Sequence, residues 1–241
     1  MLILAFDTTS LHGGAALYED GEPLAEARPQ GTETYSIALF RMVDELLLEV
    51  GAHLPDVELF AAATGPGSFT GIRVGLAAAQ GWAKALGRPV CGVSVLEAMV
   101  EATRPRSGTA VPFLDARRGE FYLGVFRRTS LAGGTGISGE EFSLCGQGRV
   151  LDAVQIATLV DELTRERQFG TTVIVGERDE RALELSERLS NPLERMTAPD
   201  FLAGSVARVA LRAAPGGRLQ RPEELDAWYI RRSDAELNWR A

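Results

Sequence analysis

The chain has 241 residues, 45% hydrophobic and 24% charged, a composition that suits one large folded domain or two small ones. The formal charge is -8, and all of it falls in the first part: residues 1–103 carry 13 acidic and 5 basic side chains, residues 104–241 carry 20 of each. Phosphate binding draws on positive charge, so the first part is excluded as an unaided grip on nucleic acid or anionic lipid. Two histidines (His12, His53) and two cysteines (Cys91, Cys145), with no Cys-x-x-Cys or His-x-x-x-His spacing, argue against a clustered metal site or a disulfide framework. The apolar run in MLILAFDTTS is short for a signal peptide and lacks a basic flank, and no segment approaches a membrane span. The sequence reads as cytoplasmic.

In chain order, Leu2–Phe6 is an apolar strand ending at Asp7, and Gly14–Glu19 is a second strand. Asp20-Gly21 turns it into a third, Pro23–Arg28. Leu39, Met42, Val43, Leu46, Leu47 and Val50 then recur at helical spacing, and Gly51 closes the helix. Val57–Ala63 is apolar enough for a strand buried on both faces. A helix follows from about Thr70 to Leu86, stopped by Gly87 and Pro89. Val90–Val93 is a short strand, and Ser94-Val-Leu-Glu97 has capping-box spacing for a helix through Thr103. Beyond a linker at Arg104–Gly108, strands are expected at Ala110–Leu114, Glu120–Arg127 and Glu141–Leu144, with a glycine-rich hairpin (LAGGTGISG) between the last two. A helix at Ala153–Leu163, a strand at Thr171–Val175 and helices at Arg178–Leu189 and Phe201–Ala213 complete the reading. The order βββαβα(βα) thus occurs twice. It predicts an α/β protein of two ribonuclease-H-like lobes of the actin/hexokinase/Hsp70 type, one over 1–103 and a divergent one over 109–215, with 216–241 packing back on the first.

In that architecture the first hairpin of each lobe normally carries an acid followed by glycine and a hydroxyl residue, positioning metal and phosphate. Here Asp7, Thr8 and Thr9 lack the glycine, and Asp115 is followed by Ala116, Arg117 and Arg118. Asp7, Thr8, Thr9, Asp115, Arg117 and Arg118 read as a vestigial nucleotide cleft. The arginines could receive a phosphate or carboxylate, or equally pair with Glu120 on a solvated hairpin. The stretch TGPGSFTGIRVGLAAAQGWAKAL (Thr64–Leu86) is glycine-rich but matches neither G-x-x-x-x-G-K-[ST] nor G-x-G-x-x-G. Gly65-Pro66-Gly67 turns the chain into the helix, with Ser68 or Thr70 as N-cap. Within the helix Gly71, Gly75, Ala78, Ala79 and Gly81 are small residues, and each interior glycine costs about 1 kcal/mol relative to alanine. Close approach of another helix would offset that loss. So would a tight contact inside the lobe.

The string TGPGSFTGIRVGLAAAQGWAKALGRPVCGVSVLEAM, with ILAFDTTS before it and FLDARRGEFYLG after it, resembles the bacterial TsaB family. The likeness is dense over residues 1–125 and returns at Trp228–Leu237. It implies a catalytically inactive, cofactor-free protein that binds and activates a TsaD-type transferase in threonylcarbamoyladenosine modification of tRNA. The TsaD metal pair, His-x-x-x-His, is absent here. Pairing through the first-lobe helices is implied, with Tyr35, Ser36, Gly71, Arg73, Gly75, Ala78 and Ala79 as contact residues. Tyr35-Ser36 stands where the family has His-Ser. A TsaE-type ATPase would join the assembled complex, tRNA would be met indirectly, and the protein alone would be either a homodimer or a monomer. The competing readings are a sugar- or acetate-kinase-like phosphotransferase and a glycoprotease-type metalloprotein.

Overall fold

The computed structural model describes residues 1–31, 33–106, 108–130, 140–166, 172–176, 184, 185, 187, 189 and 194–231. The chain divides into two compact units, Met1–Ala98 with Asp200–Ala241, and Met99–Pro199.

The first unit is built on a five-stranded sheet of β1 (Leu2–Asp7), β2 (Gly14–Glu19), β3 (Glu22–Ala27), β4 (Leu59–Ala63) and β5 (Val90–Val93), in the order β3-β2-β1-β4-β5. The two hairpin pairings are antiparallel, and β1–β4 and β4–β5 are parallel. β1 and β4 are buried at every position, because both faces of the sheet are covered. On one face lie α1 (Tyr35–Val50) and α2 (Phe69–Leu86). No side chain caps α1 at Thr34, a loss of about 1 kcal/mol. Burial of Leu39, Met42, Val43 and Leu46 contributes about 1.5–3 kcal/mol each, so the apolar stripe decides the helix. Gly51, at φ 69°, caps its end in the left-handed conformation that glycine adopts without a Cβ penalty. α3 (Val95–Thr103) begins at Ser94, whose hydroxyl accepts from Glu97 N.

The opposite face of the sheet is covered by α5 (Ala203–Ala213), which packs across β1, β2, β4 and β5. Sequence order alone groups this helix with the second lobe; its packing places it in the first unit instead. Eight of its residues are buried, too many for a helix with a wide solvated face. Gly204 lets it approach so closely that a Cβ there would lie 2.4 Å from the Tyr18 hydroxyl. Arg208 ties it down by donating to Tyr18 Oη and Ser205 Oγ. The chain then runs as a strap along β5: Gln220 bridges Val90, Leu225 enters the core, Gln80 donates to Leu225 O, and Trp228 N donates to Thr64 O.

The second unit repeats the same sheet plan. β6 (Thr109–Asp115) pairs antiparallel with β7 (Glu120–Leu123) and β8 (Phe126–Ser130), and parallel with β11 (Thr172–Gly176), which pairs parallel with β12 (Glu194–Thr197). β7 and β8 hold one register along β6, with Phe113 opposite Leu123 and Ala110 opposite Phe126, so the single strand expected at Glu120–Arg127 is parted only at Gly124-Val125. The next strand position is shared by β9 (Glu140–Leu144) on β8 and β10 (Arg149–Asp152) on β7. α4 (Ala153–Arg165) begins with a capping box between Asp152 and Gln155 and buries Ile156, Val160 and Leu163 against Val111, Phe113, Phe121 and Leu123. The hairpin expected at 131–139 lies outside the described residues, as does most of the helix expected at 178–189.

Candidate functional site

β1 ends in a turn that the glycine-rich segment is shaped to receive. Asp7, Thr8 and Thr9 are all buried. The Asp7 carboxylate accepts from Thr9 N and Thr9 Oγ1, at 2.9 and 2.6 Å. Burial nevertheless pushes this carboxyl above its usual range, against the opposing pull of those two bonds. Thr8 Oγ1 donates to Gly71 O at 2.7 Å, and Ser68 N donates to Thr9 O at 2.7 Å. A Cβ on Gly67 would lie 2.6 Å from Thr9 O, one on Gly71 1.9 Å from Thr8 O, and one on Gly75 2.5 Å from Thr8 Oγ1. The glycines of GPGSFTGIRVG are therefore the space that the β1 turn fills. Ser68 is the N-cap, accepting from Gly71 N.

This geometry corrects the contact residues expected on α2. Gly71, Gly75 and Ala79 are buried in the unit's own packing and offer no surface to a partner. In the same turn Asp7 Oδ1 is engaged by Thr9, and the Thr8 hydroxyl by Gly71 O of α2. Asp115, Arg117 and Arg118 belong to the second unit. There Asp115 accepts from Arg117 N at 2.9 Å, the same two-residue reach as Asp7 to Thr9. Arg117 (φ 63°) and Arg118 (φ 55°) both adopt the left-handed conformation ahead of Gly119, uncommon for residues with a side chain, and both are exposed. Among the described residues no group of three or more His, Cys, Asp or Glu could hold a metal ion. Cys91 is buried, its thiol pushed up to about 12 by desolvation.

The surface that is open lies on the outer side of α1 and α2. Ile37 is 67% and Phe40 53% exposed. Phe40 meets Trp82 edge-on at 5.4 Å, and Trp82 in turn contacts the core rings of Phe6 and Phe60. Along α2, Arg73, Ala77, Gly81, Lys84 and Ala85 are exposed, while Val74, Ala78 and Trp82 are half-buried. Nothing lies within 4 Å of a Cβ built on Gly81. Ser36 is exposed at the start of α1. Tyr35 is half-buried, its hydroxyl donating to Ser10 O at 2.8 Å and its ionisation suppressed by burial and by Asp7. Of the expected contact residues, the structure thus leaves Ser36, Arg73 and Ala78, with part of Tyr35, on this side. Gly81, one of the small residues noted in the sequence, lies on this side too, beside Ile37, Phe40 and Ala77, which the sequence did not single out. Their signal was present: apolar or small residues off the core stripe, where a solvated helix carries charge.

The family model described as "TsaD: tRNA N6-adenosine threonylcarbamoyltransferase" matches residues 30–170. The tRNA threonylcarbamoyladenosine biosynthesis proteins TsaB of Bacillus subtilis (strain 168) and Escherichia coli (strain K12) are 34% and 35% identical, each over 53% of this chain and 56% of their own length. The chain belongs to this family, in its TsaB branch. It spans about half the length of the curated TsaB relatives it matches. The solved structure of YeaZ from Pseudomonas aeruginosa superposes with a TM-score of 0.69 at 25% identity, covering 95% of this chain and 99% of that one. The fold expected from the duplicated element order is thereby shared with that solved structure. The segment from Thr64 to Met99 that carries the TsaB likeness in sequence is the one that packs the β1 turn and supplies the open face of α2.

Proposed function

We propose that this protein is a non-catalytic subunit that binds and activates a TsaD-type transferase in the threonylcarbamoyladenosine modification of tRNA. The observation that carries the reading is the exposed face of α1 and α2. Ile37, Phe40 and the edge of Trp82 make an apolar patch beside the small residues Ala77, Ala78 and Gly81. Exposed apolar patches of this kind mark interaction sites, and small residues admit a second helix at or inside the usual 8–10 Å. The internal use of Asp7, Thr8 and Thr9 supports a role without phosphate chemistry. TsaE-type ATPase and tRNA join through the assembled complex.

The test is co-purification with the TsaD-type protein of the same genome, followed by reconstitution of the modified base. Phe40→Asp should abolish pairing and modification with an unchanged melting temperature. Robust ATP hydrolysis by the chain alone, lost in Asp7→Ala, would instead establish the phosphotransferase reading.

A further inference from the structure

One edge of this face carries a feature that neither helix packing nor core formation uses. Phe69, the first residue of α2, is 40% exposed, and one helical turn on the Arg73 guanidinium lies 3.6 Å above its ring. On the same ring sits Tyr229, 43% exposed, with centroids 5.6 Å apart and planes inclined by 33°. Tyr229 reaches Phe69 because the strap is fixed immediately before it, by Trp228 N to Thr64 O at 2.9 Å and by Gln80 to Leu225 O at 2.8 Å. The three side chains form a stack joined across some 160 positions of sequence, with its cation exposed.

The charge around it is unusual for this protein. Residues 1–103 carry a net -8, yet the charged residues of α2 are Arg73 and Lys84 alone. Neither forms an ion pair among the described residues, whereas Arg41 on α1 is neutralised by Glu33 and Glu45. A guanidinium held flat by an aromatic ring is pre-organised for bidentate contact with a carboxylate. Aromatic residues and arginine are also the side chains that dominate binding energy at interfaces.

We infer that Phe69, Arg73 and Tyr229 form an anchor at the edge of the partner face, taking a carboxylate of the protein partner beside an apolar contact. The inference rests on the partner reading above and extends it to the C-terminal strap. A phosphate with a stacked base would suit the same groups, but a nucleic acid carries a charge at every phosphate, and the net -8 of residues 1–103 opposes that polyanion far more than a single carboxylate.

The experiment measures affinity for the TsaD-type partner at low and high salt, with a melting curve for each variant. Arg73→Ala and Tyr229→Ala should each weaken binding about tenfold or more without lowering the melting temperature. Arg73→Lys should not restore it, since an ammonium makes no flat stack or fork. Added salt should weaken the wild type more than Arg73→Ala. If Phe40→Asp loses the partner while Arg73→Ala and Tyr229→Ala keep it, the partner reading stands and the anchor is wrong. If none of the three affects the partner, both fall. If Arg73→Ala keeps the partner but loses tRNA retained by the isolated chain, the site is a nucleic-acid site and the inference is overturned.

Discussion

Thr8 and Gly71 lie closer than any side chain on residue 71 would permit. The Thr8 hydroxyl donates to Gly71 O at 2.7 Å, and a Cβ on Gly71 would fall 1.9 Å from Thr8 O. The atom it would strike is backbone at the end of a buried strand, which cannot rotate away. Gly71→Ala should therefore destabilise the protein by about 3 kcal/mol or more, a large share of the roughly 5–15 kcal/mol that holds a domain folded. Gly75→Leu should cost at least as much, since a Cβ there already falls 2.5 Å from Thr8 Oγ1. Denaturant titration of both checks this; a native midpoint for Gly71→Ala would contradict the packing described.

Gly81 behaves oppositely. It is exposed in mid-helix with open space around it, so Gly81→Ala should raise stability by about 1 kcal/mol through helix propensity. Gly81→Leu should also fold, but should hinder a partner helix approaching over Ala77 and Ala78. Melting curves and co-purification of the two variants separate the effects. Full partner binding by Gly81→Leu would move the interface off this part of α2.

Asp7 sets a pH dependence. Its carboxyl is raised by burial in the folded state and sits near pH 4 when unfolded. Below pH 4 it is protonated in both states, so its contribution to stability is fully present. As pH rises through the raised folded value, the native state must ionise a buried acid and that contribution is lost. Asp7→Asn keeps an acceptor for Thr9 and cannot ionise. Its stability relative to wild type should rise between pH 4 and pH 8, as read from urea midpoints. A relative fall over that interval would mean that the carboxylate is stabilised where it lies.

The parts of the fold visible in sequence were those fixed by local chemistry. The stripe from Leu39 to Leu47, the Ser94–Glu97 cap, the Asp20-Gly21 turn and the strand–helix order each depend on neighbours a few residues away. β10 and β12 were missed because four residues show no clear alternation, and Arg149–Asp152 runs straight into a helix cap. α5 was recognised as a helix but placed on the wrong sheet, since its apolar residues say that it is covered and not by what. Gly71 and Gly75 failed for the same reason. A stripe of small residues records that something presses close, and here the pressing group is Thr8, more than sixty positions upstream. The open face was legible only as apolar residues out of phase, at Ile37 and Phe40.

The return of α5 to the first sheet has a consequence for biosynthesis. Ile3, Ala5, Leu59 and Ala61 are fully buried and alternate with the residues that face α1 and α2, so they point to the α5 side. A nascent chain that has just completed α3 holds β1 to β5 with that side bare. The helix that covers it emerges only about a hundred residues later, after the whole second unit has left the ribosome. The first unit to be started is thus the last to be finished, and a chain truncated within the second unit would present an open apolar sheet to whatever chaperone or protease meets it.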